Sequence, residues 1–263
     1  MIIFIGMGGS GIIGDVFSSS FQNIISIHSD QIPQTFVNKN NHYIIVSYSG
    51  NTKETISAFE QIKDYNHTII SSGGILGREN NVIEVPNGYV PRDAFEIMFK
   101  TTYETLSKMI DLPEYPTIQN PEDKEIEKMM ACFDKTPIIY SHETLKPLSY
   151  RLKTQINENI KKHAFCNVLP EMSHNEIEAK NHDAFSTILF KSKHNKYVEA
   201  WEKAVDFEYT TFNLKGQNLL EQILYGIRLS DLATVKYSKQ NNIQRIETPY
   251  IQNFKEHLNQ KLE

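Results

Sequence analysis

Short apolar runs rich in β-branched residues recur along this chain, and helical patterns separate them. Such an alternation predicts parallel strands joined by crossover helices. With 263 residues the chain has room for two such units. We therefore predict an α/β fold made of two doubly wound αβα sandwich subdomains with parallel sheets. The predicted strands lie at 2–5, 23–27, 43–47, 68–71 and 82–85, and then at 137–141, 164–169, 186–190 and 209–214.

A stretch rich in proline and charge separates the two groups of strands. It extends from Asp111 to Lys128 and indicates a linker that enters a helix. We therefore expect an N-terminal subdomain over 1–120 and a C-terminal subdomain over 121–263. In the second subdomain, helical patterns cover about 144–161, 196–205 and 217–239.

Charge, cysteine content and histidine spacing exclude several classes of function. A net charge of −5 leaves no positive excess for a nucleic-acid partner. Cys132 and Cys166 have no CxxC spacing and are too few for a disulfide framework, so we expect a reducing cytoplasm. The apolar start MIIFIG is too short for a signal peptide or a membrane span. No HxH or HExxH pattern occurs among the nine histidines, so we predict no metal.

A glycine turn, GMGGSGIIGD, joins the first strand to a helix start. Backbone N–H groups and a helix N-terminus in such a turn can bind an anion. Gly6, Gly8 and Gly11 also satisfy GxGxxG, and Asp30 is placed where a dinucleotide site needs its acidic residue. This motif alone leaves a phosphate site, a dinucleotide site and a purely structural turn open.

A hydroxyl-rich loop, SYSGNT at 47–52, follows the third strand and favours the phosphate site. Its hydroxyls can donate to phosphate oxygens, and the next helix adds its N-terminal dipole. A dinucleotide fold has no use for this second loop, although its hydroxyls could instead serve only to cap the helix. We therefore predict a phosphate site formed by Gly8, Gly9, Ser10, Ser47, Ser49 and Thr52.

Together these motifs resemble the sugar-isomerase (SIS) fold, and in particular the archaeal-type bifunctional phosphoglucose/phosphomannose isomerases. Further matching segments are PRDAF, INENIK, LPEMSHNEI and, more weakly, LYGIRLSDLATV. The resemblance implies two SIS-type subdomains and a cofactor-free isomerase. Such an enzyme interconverts glucose 6-phosphate, and by the same resemblance mannose 6-phosphate, with fructose 6-phosphate through a cis-enediol.

The resemblance also implies roles for single residues. Glu158 matches the base that moves the proton between C2 and C1, and Arg92 matches the arginine that stabilises the enediolate. His174 matches the ring-opening histidine, which in the family enters the site from the partner subunit, so a homodimer is implied. Thr234 matches the small hydroxyl residue that accommodates either C2 epimer. Without the resemblance, Glu158 would be assigned to a helix surface and His174 to a capping or hydrogen-bonding role. Arg92 follows the strand at 82–85, at the edge where open α/β sheets bind ligands, and a surface arginine is the alternative for it.

Some features depart from the family pattern. The first glycine strand begins at Met1, whereas family members usually carry a helical segment before it. Lys239 comes earlier than the family's lysine, so it is given no role. Two other functions remain as alternatives: a noncatalytic SIS-type sugar-phosphate-binding protein, which needs the phosphate site but no base, and a dinucleotide-dependent oxidoreductase.

Overall fold

Nine parallel strands form two sheets in the computed structural model, which describes residues 1–179, 183–193 and 195–260. Each strand coincides with one of the predicted apolar runs to within a residue or two, so the predicted α/β class with parallel sheets is confirmed. The chain divides into two compact units. One contains residues 1–118 and 217–223, and the other contains residues 119–216 and 224–263.

The first unit contains the five-stranded sheet, with strand order β2-β1-β3-β4-β5. β3 therefore lies on the opposite side of β1 from β2, as in flavodoxin-like sheets and unlike the 3-2-1-4 order of dinucleotide folds. Its strands are β1 Ile2–Gly6, β2 Ile24–Ile27, β3 His42–Val46, β4 His67–Ser71 and β5 Val82–Glu84, and its helices include α1 Gly8–Ser20, α2 Lys53–Glu60 and α3 Phe95–Leu106.

Helices cover both faces of this sheet. Ile3 and Ile5 of β1 belong to an apolar cluster with Phe59 of α2. Phe4 points to the opposite face, because side chains alternate along a strand. There it stacks on Phe17 of α1, with ring centroids 5.5 Å apart, and Phe17 stacks on α3. The doubly wound arrangement thus follows from the continuous apolar strands.

The second unit repeats this topology in a four-stranded sheet of order β7-β6-β8-β9. Trp201 of α6 packs with Tyr140 of β6 on one face. On the other face, Leu148 of α5 contacts Gly226 of α7 closely enough to exclude a Cβ there. The strands are β6 Thr136–His142, β7 Phe165–Leu169, β8 Phe185–Lys191 and β9 Thr210–Asn213, and the helices are α4 Asp123–Ala131, α5 Lys146–Gln155, α6 Lys196–Ala204, α8 Pro249–Gln260 and, from Leu224 onward, α7 Leu219–Gln240.

Within the described ranges, no helix combines the length and the apolar character needed to cross a membrane.

Candidate active site

The carboxyl ends of β1 and β3 form the topological switch point of the first unit. The two strands are neighbours, with Gly6 paired to Val46 at their ends. The chain continues from β1 to β2 on one side and places β3 on the other, which opens a crevice where α/β sheets bind ligands. The glycine turn follows β1 and the SYSGNT loop follows β3, so both predicted phosphate-binding segments lie at this crevice.

Backbone geometry explains the glycines of the first turn. A Cβ on Gly6 would lie 2.7 Å from the carbonyl oxygen of Val46, so only glycine allows the two strand ends to approach. Gly8 has φ +54°, which favours glycine, and a Cβ there would face open space. The N–H groups of Gly8 and Gly9 belong to the first turn of α1, which has no intrahelical acceptors for them. The turn thus presents backbone donors to an anion.

The hydroxyl groups of the two loops have different environments. Ser10 Oγ accepts a hydrogen bond from the backbone N–H of Tyr48 at 3.1 Å, which ties the glycine turn to the second loop. Ser47 is 2% exposed, and its Oγ has no hydrogen-bond partner among the described residues. Thr52 is the N-cap residue of α2, yet its side chain makes no capping bond within the described chain. Helix capping therefore does not account for Thr52. Ser49 Oγ accepts a hydrogen bond from Asn51 N.

A third loop, residues 71–74 after β4, supports the SYSGNT loop and was not predicted from the sequence. Gly50 has φ +62°, and a Cβ there would lie 1.8 Å from the carbonyl oxygen of Gly73. Asn51 Oδ1 accepts from Ile75 N at 3.0 Å. The signal was the segment SSGG, whose hydroxyls and glycines follow a strand as those of the phosphate loops do. Thr55, in the first turn of α2, was also missed: it is buried, and its Oγ1 lacks a partner within the described ranges.

Arg92 lies in a short 3₁₀ helix, Pro91–Asp93, that packs on α1. The chain before it is fixed by Tyr48, whose hydroxyl donates to Pro86 O at 3.1 Å and accepts from Tyr89 N at 2.9 Å. Arg92 itself is 5% exposed, so it is not a surface arginine. Its segment is thus attached to the same loop that carries Ser47.

Glu158 lies in a π-helical turn, Ile156–Ile160, that continues α5. Turns of this kind are rare and frequent at functional sites. The turn ends at Lys161, which has left-handed φ of 61°. Glu158 is half-buried and lines a cavity of about 380 Å³ with Lys161, Tyr250 and Ile251. Glu158 therefore borders a concave surface of the second unit.

Thr234 of α7 lies next to this turn. It is fully buried, and its Oγ1 accepts from Asn159 Nδ2 at 3.2 Å. The same hydroxyl lies 3.0 Å from Ser230 O, to which it donates. The structure thus brings Thr234 together with the residue that follows Glu158.

His174 is exposed at the end of a 3₁₀ helix, Glu171–His174, that follows β7. Glu176, two residues further on, anchors this segment to the sheet. It accepts from the hydroxyl of Tyr140 at 2.9 Å and from Asn167 Nδ2 at 2.6 Å. Burial, followed by the neighbouring Glu176 carboxylate, raises the pKa of Tyr140 well above its usual value.

Glu158 and His174 of one chain lie at opposite ends of β7. Glu158 precedes this strand, and Lys162 at the same end donates to Phe133 O, just before β6, at 2.6 Å. His174 follows the strand. Five residues of strand at about 3.3 Å each separate the two ends by roughly 16 Å. The backbone segments that carry these two residues are therefore separated by about the length of β7 in a single chain.

In the part of the chain that the structure describes, no three His, Cys, Asp or Glu side chains are grouped to hold a metal ion.

Comparisons with known proteins agree over most of the chain. A family model described as the bacterial phospho-glucose isomerase C-terminal SIS domain matches residues 119–258. A bifunctional phosphoglucose/phosphomannose isomerase of Thermoplasma acidophilum is 30% identical over 277 residues, covering 98% of this chain and 89% of the relative. A D-glucosamine-6-phosphate 4-epimerase of Sulfolobus acidocaldarius is 28% identical over 275 residues, covering 97% and 88%.

A solved structure shows a similar fold. It is the tagatose-6-phosphate ketose/aldose isomerase of Escherichia coli, with a TM-score of 0.65 and 14% identity over 94% of this chain and 84% of that chain. At this identity the likeness concerns the fold alone.

Proposed function

Because this chain belongs to the bifunctional phosphoglucose/phosphomannose isomerase family, we propose that it interconverts glucose 6-phosphate and mannose 6-phosphate with fructose 6-phosphate. The family resemblance carried by the glycine turn and the SYSGNT loop is thereby confirmed. The observation that carries the proposal is the switch point of the first unit, where the buried Ser47 hydroxyl has no partner in the described chain.

The substrate phosphate binds at this switch point in our proposal. Gly8 and Gly9 supply backbone N–H groups, and the hydroxyls of Ser47 and Thr52 donate to phosphate oxygens. Ser10 ties the glycine turn to the SYSGNT loop through Tyr48 N, and Ser49 supports the SYSGNT loop from within through Asn51 N. Each hydrogen bond to a charged group contributes roughly 1.5–3 kcal/mol to the binding free energy, so several such bonds together can hold the phosphate group of the substrate.

The chemistry is an internal proton transfer. After ring opening, Glu158 takes the proton from C2 of the aldose, the electrons form the cis-enediolate, and the same carboxyl returns the proton to C1. The C2 hydroxyl loses its proton and the C1 oxygen gains one, so aldose and ketose are isomers and no oxidant is required. Arg92 stabilises the negative enediolate oxygens. Thr234, beside the Glu158 turn, limits the pocket at C2 and admits either epimer.

His174 opens the sugar ring in this proposal, and it does so in the site of a second copy of the chain. The positions of Glu158 before β7 and of His174 after it support this assignment, because the length of the strand lies between the two segments in a single chain. The exposed position of His174 leaves it accessible to such a partner. The protein is then a homodimer that acts in the cytoplasm.

A second candidate is a 4-epimerase of glucosamine 6-phosphate, which the relative from Sulfolobus acidocaldarius favours through its match to 97% of the chain. The test is to offer glucose 6-phosphate, mannose 6-phosphate and glucosamine 6-phosphate separately, with EDTA present, and to identify products by NMR. We expect fructose 6-phosphate from the first two. A product inverted at C4 from the amino sugar alone would favour the epimerase, and binding without any product would favour a noncatalytic binding protein.

A further inference from the structure

The π turn that carries Glu158 is attached to α7 by a chain of buried amides. Asn159 is fully buried, and its Nδ2 donates to Gln155 Oε1 at 3.0 Å. Gln155 is 3% exposed, and its Nε2 donates to Asp231 Oδ1 at 2.6 Å. At the other end, Arg245 Nη1 lies 3.5 Å from Asn159 Oδ1. Each amide thus accepts on one side and donates on the other.

The groups at the two ends of this series of hydrogen bonds fix the direction in which its members donate and accept. Asp231 can only accept when ionised, and a guanidinium can only donate. The amide groups of Asn159 and Gln155 consequently have one orientation that satisfies both ends. Asp231 is itself held by Arg151, whose Nε and Nη2 donate to its two oxygens at 3.0 and 2.8 Å. Arg151 is 1% exposed and the Asp231 side chain 28% exposed, so this anchor is a bidentate pair that is buried on its arginine side.

The same series of amide hydrogen bonds reaches Glu158 and Thr234, the two residues assigned to the sugar end of the substrate. Asn159 follows Glu158 directly in sequence, and its Nδ2 also donates to the hydroxyl of Thr234. A π turn has one residue more than the α-helical turn it replaces, so its geometry depends on contacts outside the helix. Asn159 is the member of the turn whose side chain supplies these polar contacts to α7.

We propose that Asn159 is a positioning residue, which holds the Glu158 carboxylate where it can reach both C1 and C2 of the substrate. This role rests on the proposed isomerase function. Gln155 and Asp231 act through Asn159 and do not touch the substrate. Because the phosphate loops belong to the other compact unit, the loss of Asn159 should affect proton transfer and leave phosphate recognition intact.

The test is Asn159→Asp, which keeps the shape of the side chain and removes both donated hydrogen bonds. A displacement of about 1 Å at a reacting group can cost up to 10²-fold in rate, so we expect kcat for glucose 6-phosphate to fall at least about tenfold, with KM changed by less than about threefold. The control is Asn41→Asp, an equally buried asparagine of the first unit that donates to Phe36 O. It should lower the melting temperature without lowering kcat.

Several outcomes would overturn this role: a wild-type kcat in folded Asn159→Asp, a rise in KM alone, or an equal loss of kcat in the Asn41→Asp control. If Asn159→Asp does not fold, Gln155→Met removes the central amide at similar volume. It should lower kcat in the same way, and a wild-type kcat in that variant would overturn the role as well. A wild-type protein that isomerises no phosphosugar would instead refute the proposed function itself.

Discussion

Replacement of Ser47 by alanine should have opposite effects on stability and on substrate binding. The Ser47 hydroxyl is buried at the carboxyl end of β3 without a partner among the described residues. A buried polar group left unsatisfied costs roughly 1–3 kcal/mol. Ser47→Ala should therefore stabilise the ligand-free protein by about 1 kcal/mol, which corresponds to a rise of roughly 2–4 °C in melting temperature.

Substrate binding should weaken in the same variant. If the hydroxyl donates to the phosphate, its loss removes a charge-assisted hydrogen bond of roughly 1.5–3 kcal/mol. At about 1.4 kcal/mol per tenfold change, KM for the phosphosugar should rise roughly 10- to 100-fold. The effect should fall on KM more than on kcat, because the phosphate does not react.

Thermal unfolding and steady-state kinetics of Ser47→Ala and Ser71→Ala test this reasoning. Ser71 is equally buried at the end of the neighbouring strand β4, but its Oγ donates to Gly73 O at 2.9 Å. Ser71→Ala should therefore lower the melting temperature. A lower melting temperature in Ser47→Ala, together with an unchanged KM, would refute the assignment of this hydroxyl to the phosphate.

Three more predictions concern the loops, the dimer and alkaline stability. Gly50→Ala should raise KM about tenfold or more by displacing the phosphate loop from the 71–74 loop. The control is Gly77→Ala, whose Cβ would meet open space, and it should leave KM unchanged; equal KM values in the two variants would contradict this. Equal amounts of Glu158→Gln and His174→Ala, refolded together, should recover about a quarter of wild-type activity if His174 acts in the partner's site, and no more than the sum of the parents if it does not. Burial raises the pKa of Tyr140 above its ordinary value of 10.0, so the contribution of Tyr140 to stability is complete below about pH 10 and declines at higher pH. Above pH 10 the melting temperature should therefore fall more steeply with pH for wild type than for Tyr140→Phe. Equal slopes in the two proteins would contradict this prediction.

Local pattern was sufficient to predict the strands but not their order. Runs such as 43–47 are continuous and β-branched, so their strand character is local. The position of β3 beside β1 depends on contacts between distant segments. That position distinguishes this sheet, with its switch point between β1 and β3, from the 3-2-1-4 strand order of dinucleotide-binding folds. The glycine turn alone therefore left both types of site open.

Part of the candidate site consists of residues that the sequence singles out. Ser47 and Thr52, which the sequence predicts to bind phosphate, follow β3 and lie at the crevice because the carboxyl ends of neighbouring parallel strands meet there. The π turn around Glu158 was not predicted, since one additional residue leaves the helical periodicity nearly unchanged. The amide chain through Asn159 was missed for a different reason: it joins residues about 75 positions apart, and a single sequence contains no signal for such a pairing.

Solvent deuterium incorporation into glucose 6-phosphate tests the central claim most directly. Wild type should exchange the C2 proton during turnover, because the proton passes through the Glu158 carboxyl. Removal of a positioned base costs on the order of 10²–10⁴ in rate, so Glu158→Gln, compared with wild type at equal substrate occupancy, should lose exchange by that factor while it still binds the phosphosugar. Undiminished exchange in Glu158→Gln would show that another group is the base and would contradict the mechanism.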